Sequence, residues 1–232
     1  MKNLCVIPAR GGSKRFPNKN ISLLNGKPLV VHTIDAAIDS GIFDKIIFTS
    51  DSDIILEIVS EYRGEFPNLS IEKRPDALAT DTSKVIDTVC FYSDLNPEFE
   101  KIWLLLPTCP LREKSDILAV NEMMDREIDS VVSITEMEFP PTLGLNFDHP
   151  GTGKITSWDN SDPWINGNTR GQDHPTVFRP NGAVYCSWMD KFRNNKNFYK
   201  GTARGYFMPR SKSIDIDTKF DFELAQISSK II

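Results

Sequence analysis

The first 34 of the chain's 232 residues contain no aspartate or glutamate, although the whole protein carries a formal net charge of -5. Histidine is scarce, with three residues, and the four cysteines are widely separated. So few ligands of these types argue against a zinc site and a disulfide framework, and we expect reduced, mostly buried thiols. No basic tract occurs outside the N-terminal region, which argues against nucleic acid as a partner.

Long apolar runs are also missing, since no stretch approaches the roughly 18 residues that a membrane-spanning helix needs. The N-terminus leads directly into a short strand pattern instead of the longer apolar core of a signal peptide. We therefore expect a cytoplasmic protein without membrane contact. A chain of 232 residues with 40% hydrophobic content can bury a sizeable core as one domain with a smaller excursion.

Short apolar runs alternate with amphipathic patterns from the N-terminus to about residue 135. The runs predicted as strands are 3–8, 45–50, 69–73, 102–107 and 130–135. Helical spacing marks the segments between them, and the first of these ends at Gly41. This alternation predicts an α/β fold with a mostly parallel sheet that is covered on both faces. Its ligand site is expected beyond the carboxyl ends of the strands.

Residues of about 136–178 break this pattern with five prolines interleaved with glycines and aromatic residues. A structureless loop of this length is unusual in a compact domain, so we predict a small lobe with strands of its own. Regular patterning resumes at Gly182. It predicts strands at 183–187 and 204–208 and a final helix at 218–230.

The most informative segment is the basic loop at residues 8–20 (PARGGSKRFPNKN), which follows the first predicted strand. Two adjacent glycines allow backbone N–H groups to approach oxygen atoms closely, and the four cations of the loop supply charge. This pattern favours a polyphosphate site, although its spacing is neither that of a P-loop nor that of a G-x-G-x-x-G turn. A solvated basic loop that happens to be glycine-rich is the alternative interpretation.

Two carboxylates alternate with isoleucines in Ser213–Asp217, which predicts that Asp215 and Asp217 share one face of a strand. One or two carboxylates, completed by water and substrate phosphates, are the usual protein ligands of Mg²⁺. An amphipathic edge strand with its polar face in water is the alternative. Asp221 follows Thr218 with the spacing of a helix cap, so we assign it a structural role.

Two turns complete the set of candidate segments. Residues 104–112 are an apolar strand that breaks at two prolines, where Thr108 is expected to cap a helix and Arg112 to pair with a surface acid. Residues 178–185 place Arg179 and Asn181 beside a glycine that allows close approach of a ligand. Taken alone, the second segment indicates only a turn before a strand.

In this order, the segments resemble those of the acylneuraminate cytidylyltransferases, which activate sialic acid and related acidic nine-carbon sugars as CMP conjugates. The resemblance extends over nearly the whole chain and also includes Arg74-Pro75 and Ala79–Ser83. It implies a Rossmann-like three-layer α/β/α nucleotidyltransferase with a mostly parallel sheet, as a single domain over residues 1–232. The insertion at about 136–178 would be a small dimerisation lobe.

The resemblance also implies a role for each matching residue. The nucleotide would contact Ala9, Arg10, Gly11, Gly12, Ser13, Lys14, Lys19, Asn20, Arg74 and Ser83. The acidic sugar would contact Leu106, Arg170, Gln172, Arg179, Asn181, Gly182 and Tyr185. Asp215 and Asp217 would hold Mg²⁺ or Mn²⁺, and together with Arg10 and Lys14 they form the catalytic set. The implied partners are CTP, the sugar and a second copy of the chain.

Two departures from the family pattern fall on the sugar side. Leu106 stands where the sialic-acid enzymes usually carry Gln, and Thr142 or Leu143 stands where some carry Lys. The nucleotide chemistry is therefore expected to be intact, while legionaminic, pseudaminic or another acylated acid can replace sialic acid. Two other functions stay open from the residues: a nucleotidyltransferase that uses GTP or UTP with a sugar phosphate, and a non-catalytic sugar-nucleotide-binding protein.

Overall fold

The computed structural model describes residues 1–63, 66–80 and 82–231. The chain divides into two compact units, of which unit 1 comprises Met1–Ile134 with Asn181–Ile232 and unit 2 comprises Thr135–Pro180. Among the helices that the structure describes, none is long and apolar enough to cross a membrane. All four cysteines are free and three are buried, which confirms the prediction of reduced, mostly buried thiols.

The strands and α-helices of the described residues follow each other along the chain with short connections. The strands are β1 (Asn3–Ala9), β2 (Leu23–Leu24), β3 (Lys27–Pro28), β4 (Lys45–Ser50), β5 (Leu69–Lys73), β6 (Lys101–Leu104), β7 (Ser130–Glu136), β8 (Leu145–Phe147), β9 (Ile155–Ser157), β10 (Phe178–Trp188) and β11 (Ala203–Phe207). The helices are α1 (Leu29–Ser40), α2 (Asp53–Arg63), α3 (Val85–Leu95), α4 (Lys114–Met123), α5 (Pro163–Asn166), α6 (Met189–Asn195) and α7 (Lys219–Ser228).

Seven strands form one sheet in the order β11-β7-β10-β6-β1-β4-β5. β1 pairs in parallel with β4 and β6, β4 pairs in parallel with β5, and β11 pairs in parallel with β7. β10 runs antiparallel to β6. The predicted α/β class with a mostly parallel sheet is therefore confirmed.

Side chains of β1 point alternately to two helical layers, as the period of two in a strand requires. Cys5 and Ile7 belong to a core cluster that contains residues of α1, α2 and α4. Leu4 and Val6 belong to a second cluster that contains residues of α3 and α6. Both faces of the strand are buried, which explains its continuous apolar sequence. Unit 1 is accordingly a three-layer α/β/α structure with loops gathered at the carboxyl ends of β1 and β4.

Two helix boundaries agree with the sequence signals. The left-handed residue Gly41 caps α1 at its C-terminus, and its N–H donates to Ile38 O at 3.1 Å. Thr218 and Asp221 cap α7 reciprocally, because the Asp221 N–H donates to Thr218 Oγ1 while the Thr218 N–H donates to the Asp221 carboxylate. The structural role predicted for Asp221 is confirmed.

Three expectations about local structure are wrong. Ser213–Asp217 lies outside every strand of the described residues, because its backbone is joined to residue 108 by one bond (Ile216 N–H to Thr108 O, 2.8 Å) instead of a ladder. β6 ends at Leu104, before the two prolines of the following turn. Thr108 is not a helix cap, since α4 begins at Lys114 with Glu113 as its N-cap residue.

Unit 2 contains little regular structure. β8 and β9 form an antiparallel hairpin, in which Leu145 pairs with Ser157. The N-terminal turn of α5 begins with Pro163, which is buried. The side chains of His174 and Thr142 are joined by a 2.9 Å hydrogen bond to Nδ1 of the imidazole ring. This unit spans the residues of the predicted lobe.

Candidate active site

The basic loop leaves β1 at Ala9 and turns against the segment that follows β4. The Gly11 N–H donates to Asp51 Oδ1 at 3.0 Å. A Cβ atom added to Gly11 would lie 2.8 Å from Cβ of Ser52, whereas one added to Gly12 would meet nothing within 4 Å. Position 11 therefore has room only for glycine, because the loop there packs against Ser52, which follows β4.

This difference between adjacent glycines gives a stability test. We expect Gly11→Ala to lower the free energy of unfolding by about 1–3 kcal/mol, the usual cost of overpacking a fitted site. Gly12→Ala is the matched control and should change it by no more than about 0.5 kcal/mol. Urea denaturation measures both, and equal effects of the two substitutions would contradict the steric argument.

Arg10, Asn20 and Ser83, which the sequence assigned to nucleotide binding, are joined by hydrogen bonds. The Arg10 guanidinium donates to the Ser83 carbonyl oxygen, and the Asn20 amide donates to Arg10 O at 2.8 Å. Ser83 itself is held by its side chain, whose oxygen lies 2.6 Å from Thr80 Oγ1. The two segments of the predicted CTP site are thus neighbours, while Asp81 lies outside the described residues.

Arg74 lies at the same edge of the sheet with a buried side chain, 3% exposed. Its guanidinium donates to Ala9 O at 2.9 Å and to Thr49 O at 3.1 Å, so it joins the ends of β1 and β4. Nε of this side chain is buried without a hydrogen-bond partner in the structure. Burial lowers the pKa of Arg74. The Arg74 guanidinium therefore binds backbone oxygens of β1 and β4 in this structure, whereas the resemblance assigned Arg74 to the nucleotide.

The loop is connected to the carboxylate segment near the other end of the chain. Lys19 is 7% exposed, and its ammonium donates to Ile216 O at 2.6 Å and contacts Asp217 Oδ1 at 3.2 Å. The Arg15 guanidinium contacts the other oxygen, Asp217 Oδ2, at 2.7 Å. Lys19 is therefore a buried link between the loop and Asp217, 198 residues away. Ser13 and Lys14 lie in the same loop.

Asp215 lies on the exposed side of the same segment. One of its carboxylate oxygens is 3.8 Å from Sγ of Cys109 in the turn after β6. The described residues contain no group of three or more His, Cys, Asp and Glu side chains that could hold a metal ion. Two exposed or half-exposed carboxylates nevertheless fit the demand of Mg²⁺, which takes one or two carboxylates and completes its shell with water and substrate phosphates.

Four of the predicted sugar contacts lie at the turn after β6 in unit 1. They are Leu106, Asn181, Gly182 and Tyr185. Gly182 has a φ of +79°, and an added Cβ would lie 3.1 Å from Sγ of Cys109 and 3.3 Å from Cδ1 of Leu106. Burial raises the pKa of Tyr185, to which the nearby Asp215 carboxylate also contributes. Gly182 therefore lies beside Cys109 and Leu106, and Tyr185 lies near Asp215 of the carboxylate segment.

The side chain of Asn181 is 1% exposed and is enclosed in a polar network. Its amide nitrogen donates to Ser213 Oγ at 2.8 Å, and its amide oxygen accepts from Ser133 Oγ at 2.6 Å. The same oxygen accepts the Ala183 N–H at 3.1 Å. In this structure Asn181 positions the strand and the segment that begins at Ser213.

Arg170, Gln172 and Arg179 belong to unit 2. Arg170 Nε lies 3.6 Å from Asp173 Oδ2, and Arg179 Nη2 lies 2.9 Å from Glu138 Oε1. Gln172 and Glu138 line a cavity of about 300 Å³ within this unit. These three side chains, which the resemblance assigned to the sugar, therefore all lie in unit 2.

Comparison with known proteins identifies the family of the chain. The model of the family described as cytidylyltransferase matches residues 4–138, which is more than half of the chain. That match includes the loop, Arg74, Ser83 and Leu106. The chain belongs to the cytidylyltransferase family.

Among curated proteins, this cytidylyltransferase family member is 36% identical to N-acylneuraminate cytidylyltransferase of Streptococcus agalactiae, over 96% of the chain and 52% of the relative. It therefore spans about half the length of such relatives. It is 34% identical to CMP-N,N'-diacetyllegionaminic acid synthase of Legionella pneumophila (97% of the chain, 95% of the relative). It is 30% identical to pseudaminic acid cytidylyltransferase of Campylobacter jejuni (100% and 97%).

Solved structures of two other synthetases share the fold of this cytidylyltransferase family member. CMP:2-keto-3-deoxy-manno-octonic acid synthetase complexed with CTP aligns with a TM-score of 0.69 at 14% identity, over 100% of both chains. 4-Diphosphocytidyl-2C-methyl-D-erythritol synthase from Anaerococcus prevotii aligns with a TM-score of 0.67 at 14% identity, over 99% of this chain and 96% of that one.

Arg112 of this cytidylyltransferase family member has a different role from the one expected from sequence. Its side chain is buried and forms no ion pair with a surface acid among the described residues: Nε donates to Ala183 O at 2.7 Å, Nη1 to Thr33 Oγ1 at 2.5 Å, and Nη2 to Leu106 O. Burial lowers its pKa to about 10, so the guanidinium stays charged at neutral pH. An Arg at the end of an apolar turn was the available signal, but nothing local distinguishes a buried cation from an exposed one.

Proposed function

We propose that this chain transfers the cytidylyl group of CTP to an acidic nine-carbon sugar and releases pyrophosphate. The near full-length relatives named for legionaminic and pseudaminic acids support this reaction. The observation that carries the proposal is the contact of the Lys19 ammonium with Ile216 O and Asp217. It brings a cationic glycine loop next to the segment that carries Asp215 and Asp217, and transfer of a nucleotidyl group to a hydroxyl depends on such positioning and charge neutralisation.

In the proposed reaction, the anomeric hydroxyl of the sugar attacks the α-phosphorus of CTP. A bond forms between the hydroxyl oxygen and this phosphorus, the bond from the phosphorus to the β-bridging oxygen breaks, and the hydroxyl proton passes to solvent. Arg10 and Lys14 would bind the leaving pyrophosphate. Arginine has five N–H donors, and the bond from Arg10 to Ser83 O holds the guanidinium at the exit of β1.

The proposed cofactor is Mg²⁺ or Mn²⁺, which Asp215 and Asp217 would hold. When bound, such a cation neutralises charge on the α-phosphate and makes the attacking hydroxyl more acidic. Arg15 is the exposed partner of Asp217, with 69% of its side chain accessible. A divalent metal ion can therefore replace Arg15 on the Asp217 carboxylate at a small cost in free energy, since exposed ion pairs contribute about 0–1 kcal/mol.

We also propose that the protein is a homodimer formed through unit 2. Nine large hydrophobic side chains of this unit are at least one-third exposed: Phe139, Leu145, Phe147, Ile155, Trp158, Trp164, Ile165, Val177 and Phe178. These exposed side chains support the proposal, because large exposed apolar patches mark protein–protein contact sites. Light scattering across a concentration series should give twice the mass of 26.2 kDa, and a monomer at all concentrations would contradict the proposal.

The reaction is tested by pyrophosphate release from CTP with a panel of N-acetylneuraminate, N,N'-diacetyllegionaminate and pseudaminate. We expect magnesium-dependent turnover with at least one of these sugars and none with GTP or UTP. Turnover of GTP or UTP with a sugar phosphate would instead support the other nucleotidyltransferase reaction. Binding of CTP without turnover on any sugar would indicate a non-catalytic binding protein.

Arg10→Ala tests the role of the loop in CTP binding. Loss of a hydrogen-bonding cation at a phosphate costs about 1.5–3 kcal/mol, so we expect the KM for CTP to rise roughly ten- to a hundred-fold. The KM for the sugar should change little. Steady-state kinetics with each substrate varied in turn measures both values, and an unchanged KM for CTP would contradict the assignment.

A further inference from the structure

In unit 2 the guanidinium of Arg179, which the proposed function assigns to the acidic sugar, is paired with the carboxylate of Glu138. Arg179 Nη2 donates to Glu138 Oε1 at 2.9 Å, and Nη1 donates to the carbonyl oxygen of Pro180 at 3.4 Å. These two nitrogens form the forked edge with which arginine grips a carboxylate through two parallel hydrogen bonds. In this structure a protein carboxylate and a protein carbonyl bind that edge.

Glu138 lies beside a cavity of suitable size. The cavity of about 300 Å³ is lined by Glu138 together with Gln172, His174 and Thr176. Ligand pockets begin at about this volume, and Gln172 is one of the proposed sugar contacts. His174 is fixed there through both ring nitrogens, by Thr142 and by the Asn168 carbonyl. The Glu138 carboxylate therefore lies on the wall of a cavity that can accept part of a sugar.

We propose that Glu138 is an internal competitor of the sugar carboxylate for Arg179. The proposal rests on the proposed function, in which Arg179 contacts the acidic sugar. Binding then exchanges one carboxylate for another on the same guanidinium, so the sugar must displace Glu138. A neutral sugar analogue cannot make this exchange. Glu138 thereby raises the KM for the acidic sugar.

The sign of the change in KM decides between competition and positioning. With CTP saturating, and with the panel sugar that gives the highest kcat/KM, we expect Glu138→Gln to lower the KM for the sugar about two- to five-fold. This is the range that loss of a half-exposed ion pair allows. The kcat should stay unchanged. A raised KM would show that Glu138 positions Arg179, and an unchanged KM would show that the pair has no influence; either result overturns the proposal.

Two further tests separate the effect of the Glu138–Arg179 contact from the effect of removing a negative charge at the cavity. Glu136→Gln removes another carboxylate that lines the cavity and should lower KM less than Glu138→Gln does. In the Arg179→Ala background, Glu138→Gln should have no effect, because the competed group is gone. If the wild-type protein turns over none of the sugars, the proposed function fails. If turnover occurs but KM does not fall in Glu138→Gln, only the competition fails.

Discussion

Replacement of Asp217 by Asn is expected to reduce magnesium-dependent pyrophosphate release about 10³-fold in kcat/KM. A bound divalent cation supplies several kcal/mol of stabilisation to the charge that develops at phosphorus, and each 1.36 kcal/mol corresponds to a factor of ten in rate. An amide oxygen is a poorer ligand than a carboxylate oxygen and carries no net charge. The measurement is turnover of CTP over a wide range of Mg²⁺ concentrations.

Asp217 also pairs with two cations, so the loss of these pairs must be separated from the loss of a metal ligand. Arg15→Ala removes the exposed pair and should change kcat/KM less than about three-fold. Asp215→Asn removes the other proposed ligand while Lys19 keeps its contact with Asp217, and it should match the large loss. The metal assignment is wrong if Asp217→Asn retains magnesium-dependent turnover within a few-fold of wild type.

The second large effect is expected on stability. Arg112→Ala should lower the free energy of unfolding by about 3–5 kcal/mol, because it leaves buried oxygens of Leu106, Ala183 and Thr33 without their donor and opens a cavity. Removal of a costly buried charge offsets part of this loss. Such a change is a large fraction of the 5–15 kcal/mol that typically stabilises a domain. Urea denaturation with the m-value monitored measures it.

Arg126→Ala is the matched control for Arg112→Ala. This guanidinium is exposed and stacks 3.8 Å above the ring of Trp188. Cation–π contacts at exposed sites contribute about 0.5–1 kcal/mol, so the control should stay within that range. Arg112→Lys should fall between the two, because one ammonium cannot reproduce the three directions of the guanidinium. A loss below about 1 kcal/mol in Arg112→Ala would refute the structural role.

Much of the sheet could be predicted, because strands such as β1 and β4 are buried on both faces and are largely apolar runs. β4 (Lys45–Ser50) and β5 (Leu69–Lys73) have the bounds predicted from sequence. The period of two in Ser213–Asp217 led to the wrong prediction of a strand, because alternating polar and apolar side chains do not require a hydrogen-bonded neighbouring strand. The resemblance assigned Arg10 and Ser83 to one nucleotide site, and a hydrogen bond joins the two residues in the structure.

The burial of charged groups could not be predicted. Lys19 and Arg112 have the sequence surroundings of surface cations, yet each is enclosed by carbonyl oxygens from distant parts of the chain. Which carbonyl oxygens surround a side chain depends on the packing of loops, and local spacing does not encode that. The pairing of Glu138 with Arg179, on which the proposed competition depends, has the same origin, because 41 residues separate the two side chains.

The link from Lys19 to Ile216 and Asp217 also bears on folding during synthesis. A ribosome makes the glycine loop 197 residues before Ile216, so the Lys19 ammonium lacks these partners until that segment has been synthesised. The family match ends at residue 138, well before that segment. A nascent chain can therefore pair β1, β4, β5 and β6 in parallel before the loop is joined to Asp217, and the proposed site is completed only after residue 217 has been added.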